Sequence, residues 1–235
     1  MTQSVLALLH GVAPGLESAM LGSLGRAFER HGQGIRTASF TRGERPPRVG
    51  HGIRMVVVMG SLDSVLDPDL PWLDDELRYL GQAVDRGIPV LGVCFGAQLL
   101  AAILGGRVEH AAVPETGFVD VTSADPAGVP SGRWYAFHHD LIRPPCDAEV
   151  VATSAACVQA FRHGPHLGVQ FHPEVTPQTL QAWQTGFFGR SGGVSAADSR
   201  LLAEHAATLD GADTDRRTDR IVQGFVRQAR VLSAA

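Results

Sequence analysis

Three side chains carry the chemistry this chain could perform: Cys94, His172 and Glu174. Cys94 stands in Gly92-Val93-Cys94-Phe95-Gly96, between an apolar run (IPVLGV) and a helix-forming one (AQLLAAIL). A nucleophile on a sharp strand-to-helix turn needs a strained backbone, and the turn crowds the residues two positions away on either side. Glycine at both positions relieves that crowding. The turn also sets the thiol at a helix N-terminus, where the dipole and free N–H groups favour thiolate, and aims the Phe95 N–H at an oxyanion forming beside the sulfur. A thiol nucleophile needs a base, and the base an orienter. His172-Pro173-Glu174 follows the strand candidate LGVQF. Residues two apart in an extended segment point the same way, and Pro173 biases His172 towards that geometry. Glu174 can then fix the tautomer of His172, which makes a Cys–His–Glu set. Cys146 and Cys157 lack such a context and read as buried, inert thiols.

The elements that must position these groups alternate. Ser4–His10 reads as a strand, 15–30 as a helix, 35–40 and 54–59 as strands, 71–86 as a helix, 88–93 as a strand and 97–104 as a helix. Short connections between them argue for a three-layer α/β fold, with a mainly parallel sheet covered by helices on both faces. From Val108 to Glu174 the pattern shortens to period-two runs, at 118–122, 133–138, 150–153, 158–162 and 166–171, which read as a mixed or antiparallel extension of the sheet. Helices return at 176–188, 196–208 and 213–232, with Gly189–Ser195 (GRSGGVS) as a flexible joint. We therefore expect a single domain over 1–235, with a core to about 190 and a helical tail from about 191. In the last helix, Ile221, Val222, Phe225, Val226 and Ala229 form one apolar stripe. The favoured expectation is that it packs on the chain's own sheet; the alternative is that it docks another subunit.

Composition narrows the field. The 235 residues are 44% hydrophobic and 19% charged, with a net charge of −4. No basic stripe gathers, which argues against nucleic acid and anionic membrane as partners. All 20 basic residues are arginine, so lysine Schiff-base chemistry and a P-loop lysine are excluded. Three cysteines, an odd number in a chain this long, point to a reduced, cytoplasmic setting. No apolar run approaches the roughly 18 residues of a membrane span, and the N-terminus lacks signal-peptide features. There are ten histidines, but no C-x-x-C or H-x-x-x-H pair places two ligands on one face. GVAPG and GRSGG lack the dinucleotide fingerprint, so neither metal nor cofactor is expected.

Between about Met55 and Thr176, the segments VVVMGSLDSV, IPVLGVCFGAQLLAAILGGRV, FHHD and LGVQFHPE occur in that order. Together they resemble the class I (triad) glutamine amidotransferases, in particular stand-alone members similar to the glutaminase domain of GMP synthase. The resemblance implies a flavodoxin-like fold. It also implies that Cys94 attacks the glutamine side-chain amide, that His172 protonates the departing ammonia, that the γ-glutamyl thioester is hydrolysed, and that Glu174 orients His172. Gln98 corresponds to a glutamine that helps hold the substrate, and His138, His139 and Asp140 to a pocket-lining segment. Gly60-Ser61-Leu62 replaces the family's Gly-Gly-Pro. Gly60 would border the substrate, and the Ser61 N–H would join that of Phe95 in an oxyanion hole, without the backbone freedom of glycine.

Three functions follow from these residues: an amidotransferase component that passes ammonia to a separate synthetase or ligase, a hydrolase of γ-glutamyl amides or peptides, and a non-catalytic binding or regulatory homologue. An intact Cys94, His172 and Glu174 argues against the third. L-Glutamine or a γ-glutamyl compound is then the substrate. A second copy of the chain is an additional candidate partner.

Overall fold

The computed structural model describes residues 4–232. In chain order the elements are β1 (Ser4–Leu8), α1 (Glu17–Arg30), β2 (Ile35–Ala38), β3 (Ile53–Val58), α2 (Leu73–Asp85), β4 (Val90–Val93) and α3 (Phe95–Ile103). Then come β5 (Arg107–Ser123), β6 (Gly132–Arg143), β7 (Glu149–Thr153), β8 (Val158–His163), β9 (His166–Val169) and α4 (Pro177–Gly186). The chain continues through β10 (Phe188–Gly189), β11 (Gly192–Gly193), α5 (Ala196–Thr208) and α6 (Gly211–Leu232). A nine-stranded sheet runs β2-β1-β3-β4-β9-β8-β7-β5-β6. Its first five strands are parallel, and the pairs from β9 to β6 are antiparallel. This is the expected α/β architecture with a mainly parallel core and an antiparallel extension.

The inner parallel strands β1, β3 and β4 are largely apolar on both sides because both faces are covered. Val5, Ala7, Met55, Val57 and Leu91 enter one core with α1, α4 and α6. Leu6, Leu8, Val56, Val58 and Val90 enter the other with α2 and α3. The apolar stripe of α6, from Ile221 to Ala229, is buried in the first core, which favours internal packing over docking. Arg26 and Arg30 of α1 pair with Asp215 and Asp219 of α6 at 2.6 and 2.9 Å. Among the described residues, no helix is long and apolar enough to cross a membrane.

Several expectations need correcting. The short runs at 118–122 and 133–138 belong to a long two-stranded arm, with β5 and β6 paired from Arg107↔Arg143 to Val121↔Gly132. Most of the N-terminal part of β5 faces solvent on both sides and so lacks the alternation that signals a strand. Gly189–Ser195 is no plain joint, since most of the β10–β11 hairpin, residues 188–193, falls within it. Cys146 is exposed and Cys157 half-buried, so neither is a core thiol.

The first helix is not continuous. At Gly22 the backbone takes φ 45° and ψ −126°, which kinks α1. The kink lets the Ser23 N–H donate to the Glu174 carbonyl at 2.9 Å. A Cβ at Gly22 would lie 2.0 Å from that carbonyl oxygen, and a positive φ strains any L-residue. Gly22→Ala is therefore expected to destabilise the fold by at least about 1–3 kcal/mol. Thermal denaturation checks this, and an unchanged melting temperature would show that the kink does not need glycine.

Candidate active site

Four neighbouring parallel strands, β1, β3, β4 and β9, each lead into one residue of a common cluster: His10, Gly60, Cys94 and His172. The carboxyl ends of parallel strands are where α/β sheets build sites. Cys94 follows β4 directly, and its N–H donates to the carbonyl of Val169, the last residue of β9, at 2.8 Å. Its own carbonyl accepts from Ala97 and Gln98, each at 3.0 Å, which starts α3. Cys94 has φ 51°, the one non-glycine residue with positive φ among those described.

The flanking glycines permit this turn through close approach. A Cβ on Gly92 would sit 2.4 Å from the Gly96 oxygen, and one on Gly96 would sit 2.1 Å from the Val58 oxygen. Phe95 heads α3, so its N–H is one of the unpaired first-turn donors.

His172 and Glu174 meet with Nδ1 to Oε1 at 2.7 Å and both side chains almost wholly buried, but not through an extended segment: β9 ends at Val169 and Pro173–Glu174 form a turn, with the Val175 N–H on the His172 carbonyl at 3.4 Å. Backbone bonds hold the segment throughout. The His172 N–H donates to Tyr135 at 2.8 Å, and the Thr218 hydroxyl of α6 donates to the Pro173 carbonyl at 2.6 Å. Since the carboxylate only accepts, Nδ1 carries a proton. Among the described residues Nε2 has no hydrogen-bonded partner. The thiol lies close by: a Cβ on Gly60 would be 3.1 Å from His172 Cε1 and 3.8 Å from Cys94 Cβ. Burial alone would lower the His172 pKa, but the Glu174 carboxylate and then Cys94 raise it to about 10. Such a ring carries its positive charge at neutral pH.

His10 and Glu76 were not apparent in the sequence. His10 Nε2 lies 2.9 and 3.0 Å from the two Glu76 oxygens, and its Nδ1 lies 3.2 Å from the Gly60 carbonyl. Both partners only accept, so both ring nitrogens carry protons. Burial opposes that charge, and Glu76, the Gly60 carbonyl and Asp63 outweigh it to raise the pKa. Trp72 and Phe95 flank the ring at 5.2 and 4.9 Å. In a planar trans peptide C=O and N–H point opposite ways. Fixing the Gly60 carbonyl on His10 therefore turns the Ser61 N–H the other way. Ser61 itself needs no positive φ, so the serine costs nothing in backbone geometry.

Cys94 and Phe95 open into a cavity of about 490 Å³, which Ser61, Gln98, His138, His139 and Asp140 also line. Gln98 is buried, and its Nε2 donates to the Asp140 carbonyl at 3.3 Å. His138 and Asp140 are buried while His139 is exposed, because all three lie on strand β6 rather than in a loop. The Asp140 carboxylate pairs with His110 Nδ1 at 2.7 Å and accepts from the Ser64 hydroxyl. The β10–β11 hairpin closes one side with Gly189, Ser191 and Gly192. Asp63, Asp67 and Asp198 give the cavity an acidic rim. A larger cavity of about 870 Å³ lies elsewhere, between the 40–51 segment and α2, and no cysteine lines it.

The family model for class-I glutamine amidotransferases matches residues 50–187. The chain is 35% identical over 129 residues to the glutamine-hydrolysing GMP synthase of Listeria innocua, a match covering 51% of this chain and 24% of that protein. It is 35% identical over 136 residues to a glutamine-hydrolysing GMP synthase subunit of Sulfolobus acidocaldarius, covering 52% of this chain and 72% of that one. The match thus spans about a quarter of the length of the full GMP synthases. The fold is similar to the solved glutamine amidotransferase of Methylobacillus flagellatus, with a TM-score of 0.76 over 97% of this chain and 96% of that one, at 21% identity. With its matched residues spanning the elbow and the H-P-E segment, the chain belongs to the class-I glutamine amidotransferases.

The raised His172 pKa has a definite sign. A ring protonated in the fold above its ordinary value of 6.5 stabilises the fold fully below that pH, and the contribution fades as pH rises towards 10. Nuclear magnetic resonance of the ring should find a titration near pH 10. Glu174→Gln should move it down; an unmoved midpoint would remove Glu174 as the cause.

Proposed function

We propose that this protein hydrolyses the side-chain amide of L-glutamine to glutamate and ammonia, with ammonia passing to a separate synthetase or ligase. The observation that carries this reading is the convergence of Cys94, at φ 51°, with the buried His172–Glu174 pair beside Gly60. In the proposed reaction the Cys94 thiolate attacks the amide carbon, and the oxyanion accepts from the Phe95 and Ser61 N–H groups. The His172 imidazolium then gives its proton to the departing nitrogen, which leaves as ammonia and yields a γ-glutamyl thioester. Neutral His172 next takes a proton from water, which cleaves the thioester to glutamate and restores the thiol. Glu174 holds the ring tautomer throughout. Gly60, Gln98, His138, His139 and Asp140 border the substrate, and the acidic rim suits its α-ammonium group.

Delivery of ammonia to a partner is supported by the similarity to a GMP synthase component that is a separate chain. Packing of α5 and α6 into the main core supports treating residues 1–235 as one unit. Free cysteines without disulfides among the described residues suit the cytoplasm. A second reading, hydrolysis of larger γ-glutamyl amides, has one observation in its favour. The cavity of about 490 Å³ is roomier than a single amino acid needs.

Two sets of measurements test the proposal. Cys94→Ala should lower glutamine turnover by on the order of 10⁴-fold or more, read as glutamate and ammonia release. Retained turnover would rule out the thioester route. Faster cleavage of a bulky γ-glutamyl amide than of glutamine by the parent protein would favour the second reading. His10→Gln and Glu76→Gln should each lower kcat by about 10²-fold, as loss of one oxyanion donor does, with KM nearly unchanged. A change confined to KM would mean that the pair does not position the Ser61 peptide.

A further inference from the structure

Behind the wall of the substrate cavity, Glu115 of β5, His138 of β6 and Cys157, just before β8, bring three ligand atoms within 4.8 Å of one another. Glu115 and His138 face each other across the β5–β6 ladder, with Oε2 and Nε2 3.0 Å apart. The Cys157 sulfur lies 3.3 Å from the same oxygen. Ligands about 2.0–2.3 Å from one tetrahedral ion have separations of this order.

Two features go beyond proximity. First, His138 Nδ1 lies 3.0 Å from the Asp140 carbonyl, which can only accept, so Nδ1 carries a proton. Nε2, on the far side of the ring, faces the Glu115 carboxylate at 3.0 Å, a contact that a shared cation would replace. That atom is buried, with the side chain 2% exposed. Second, outer partners already orient the carboxylate: Ser154 donates to Oε1 at 2.8 Å and Gln159 Nε2 to Oε2 at 2.6 Å. A histidine pinned through its far nitrogen and a carboxylate held by outer hydrogen bonds is the support that metal ligands receive.

We propose that Glu115, His138 and Cys157 form a binding site for one divalent transition-metal cation of the zinc type. Thiolate, imidazole and carboxylate together select zinc or cobalt over magnesium or calcium. A fourth position opens to a cavity of about 370 Å³ that these three residues line with His110 and Ala156. The irregular register between His110 and Glu115 aims Glu115 at this point. A bound ion would tie the β5–β6 arm to the turn before β8. Because His138 also lines the substrate cavity, the ion would fix one wall of that cavity.

The experiment uses the full chain, stripped with a chelator and titrated with Zn²⁺ by calorimetry and with Co²⁺ by absorbance. One equivalent should bind, and Co²⁺ should give a thiolate-to-cobalt charge-transfer band. Cys157→Ser should abolish the band and weaken Zn²⁺ binding by about tenfold or more, whereas Cys94→Ala should preserve both. Glu115→Gln should weaken Zn²⁺ binding similarly, and it decides the matter should Cys157→Ser fail to fold. The proposal is overturned by a parent protein that takes up no Zn²⁺, by a band that survives Cys157→Ser or is lost in Cys94→Ala, or by Zn²⁺ binding unchanged in Glu115→Gln.

Discussion

One L-residue held at positive φ sets the terms for everything around it. Cys94 has φ 51°, a conformation that relaxes unless its surroundings leave no alternative. The constraint is applied from both sides. Its N–H is bonded to β9 and its carbonyl begins α3. The backbones of Gly92, Gly96 and Val58 approach so closely that no side chain fits between them. Loosening any of these contacts would let the turn relax and carry the sulfur away from His172.

Electrostatics then builds on that geometry. Two histidines with raised pKa values, His10 and His172, lie on either side of Gly60. Each has its own buried carboxylate, Glu76 or Glu174. Buried ion pairs seldom offset their desolvation in stability, and here the result is better understood as orientation. Glu76 keeps His10 charged, His10 fixes the Gly60 carbonyl, and the adjoining peptide N–H turns away from it. Glu174 keeps a proton on Nδ1 and leaves Nε2 free. Both rings are thus held in a set orientation beside Gly60 and Cys94 before any ligand arrives.

What could be read from the sequence follows the range of the interactions involved. The elbow and the H-P-E segment are local. The elbow glycines encode geometry within a few positions, whereas His172 and Glu174 meet through a turn that the extended two-residue spacing did not describe. The buried parallel strands were equally plain, because strands covered on both faces are continuously apolar. His10–Glu76 was not readable, since its partners are 66 positions apart and meet only through the order β1-β3-β4. Glu115, His138 and Cys157 come from three segments with no metal-like spacing. The solvent-facing half of β5 carries no alternation. The kink at Gly22 is silent because glycine within a helical pattern does not say which backbone will press against it.

The clasp on the H-P-E segment bears on the order in which the chain is made. Ser23, near the start, and Thr218, near the end, hold the carbonyls of Glu174 and Pro173 respectively. A chain emerging from the ribosome presents Cys94, His172 and Glu174 well before α6 exists. Until that last helix docks, the Pro173 carbonyl lacks its donor and α1 lacks one of the surfaces against which it packs. Synthesis therefore delivers the reactive groups early and their support late. An unfinished chain holds a complete set of side chains without the frame that aligns them.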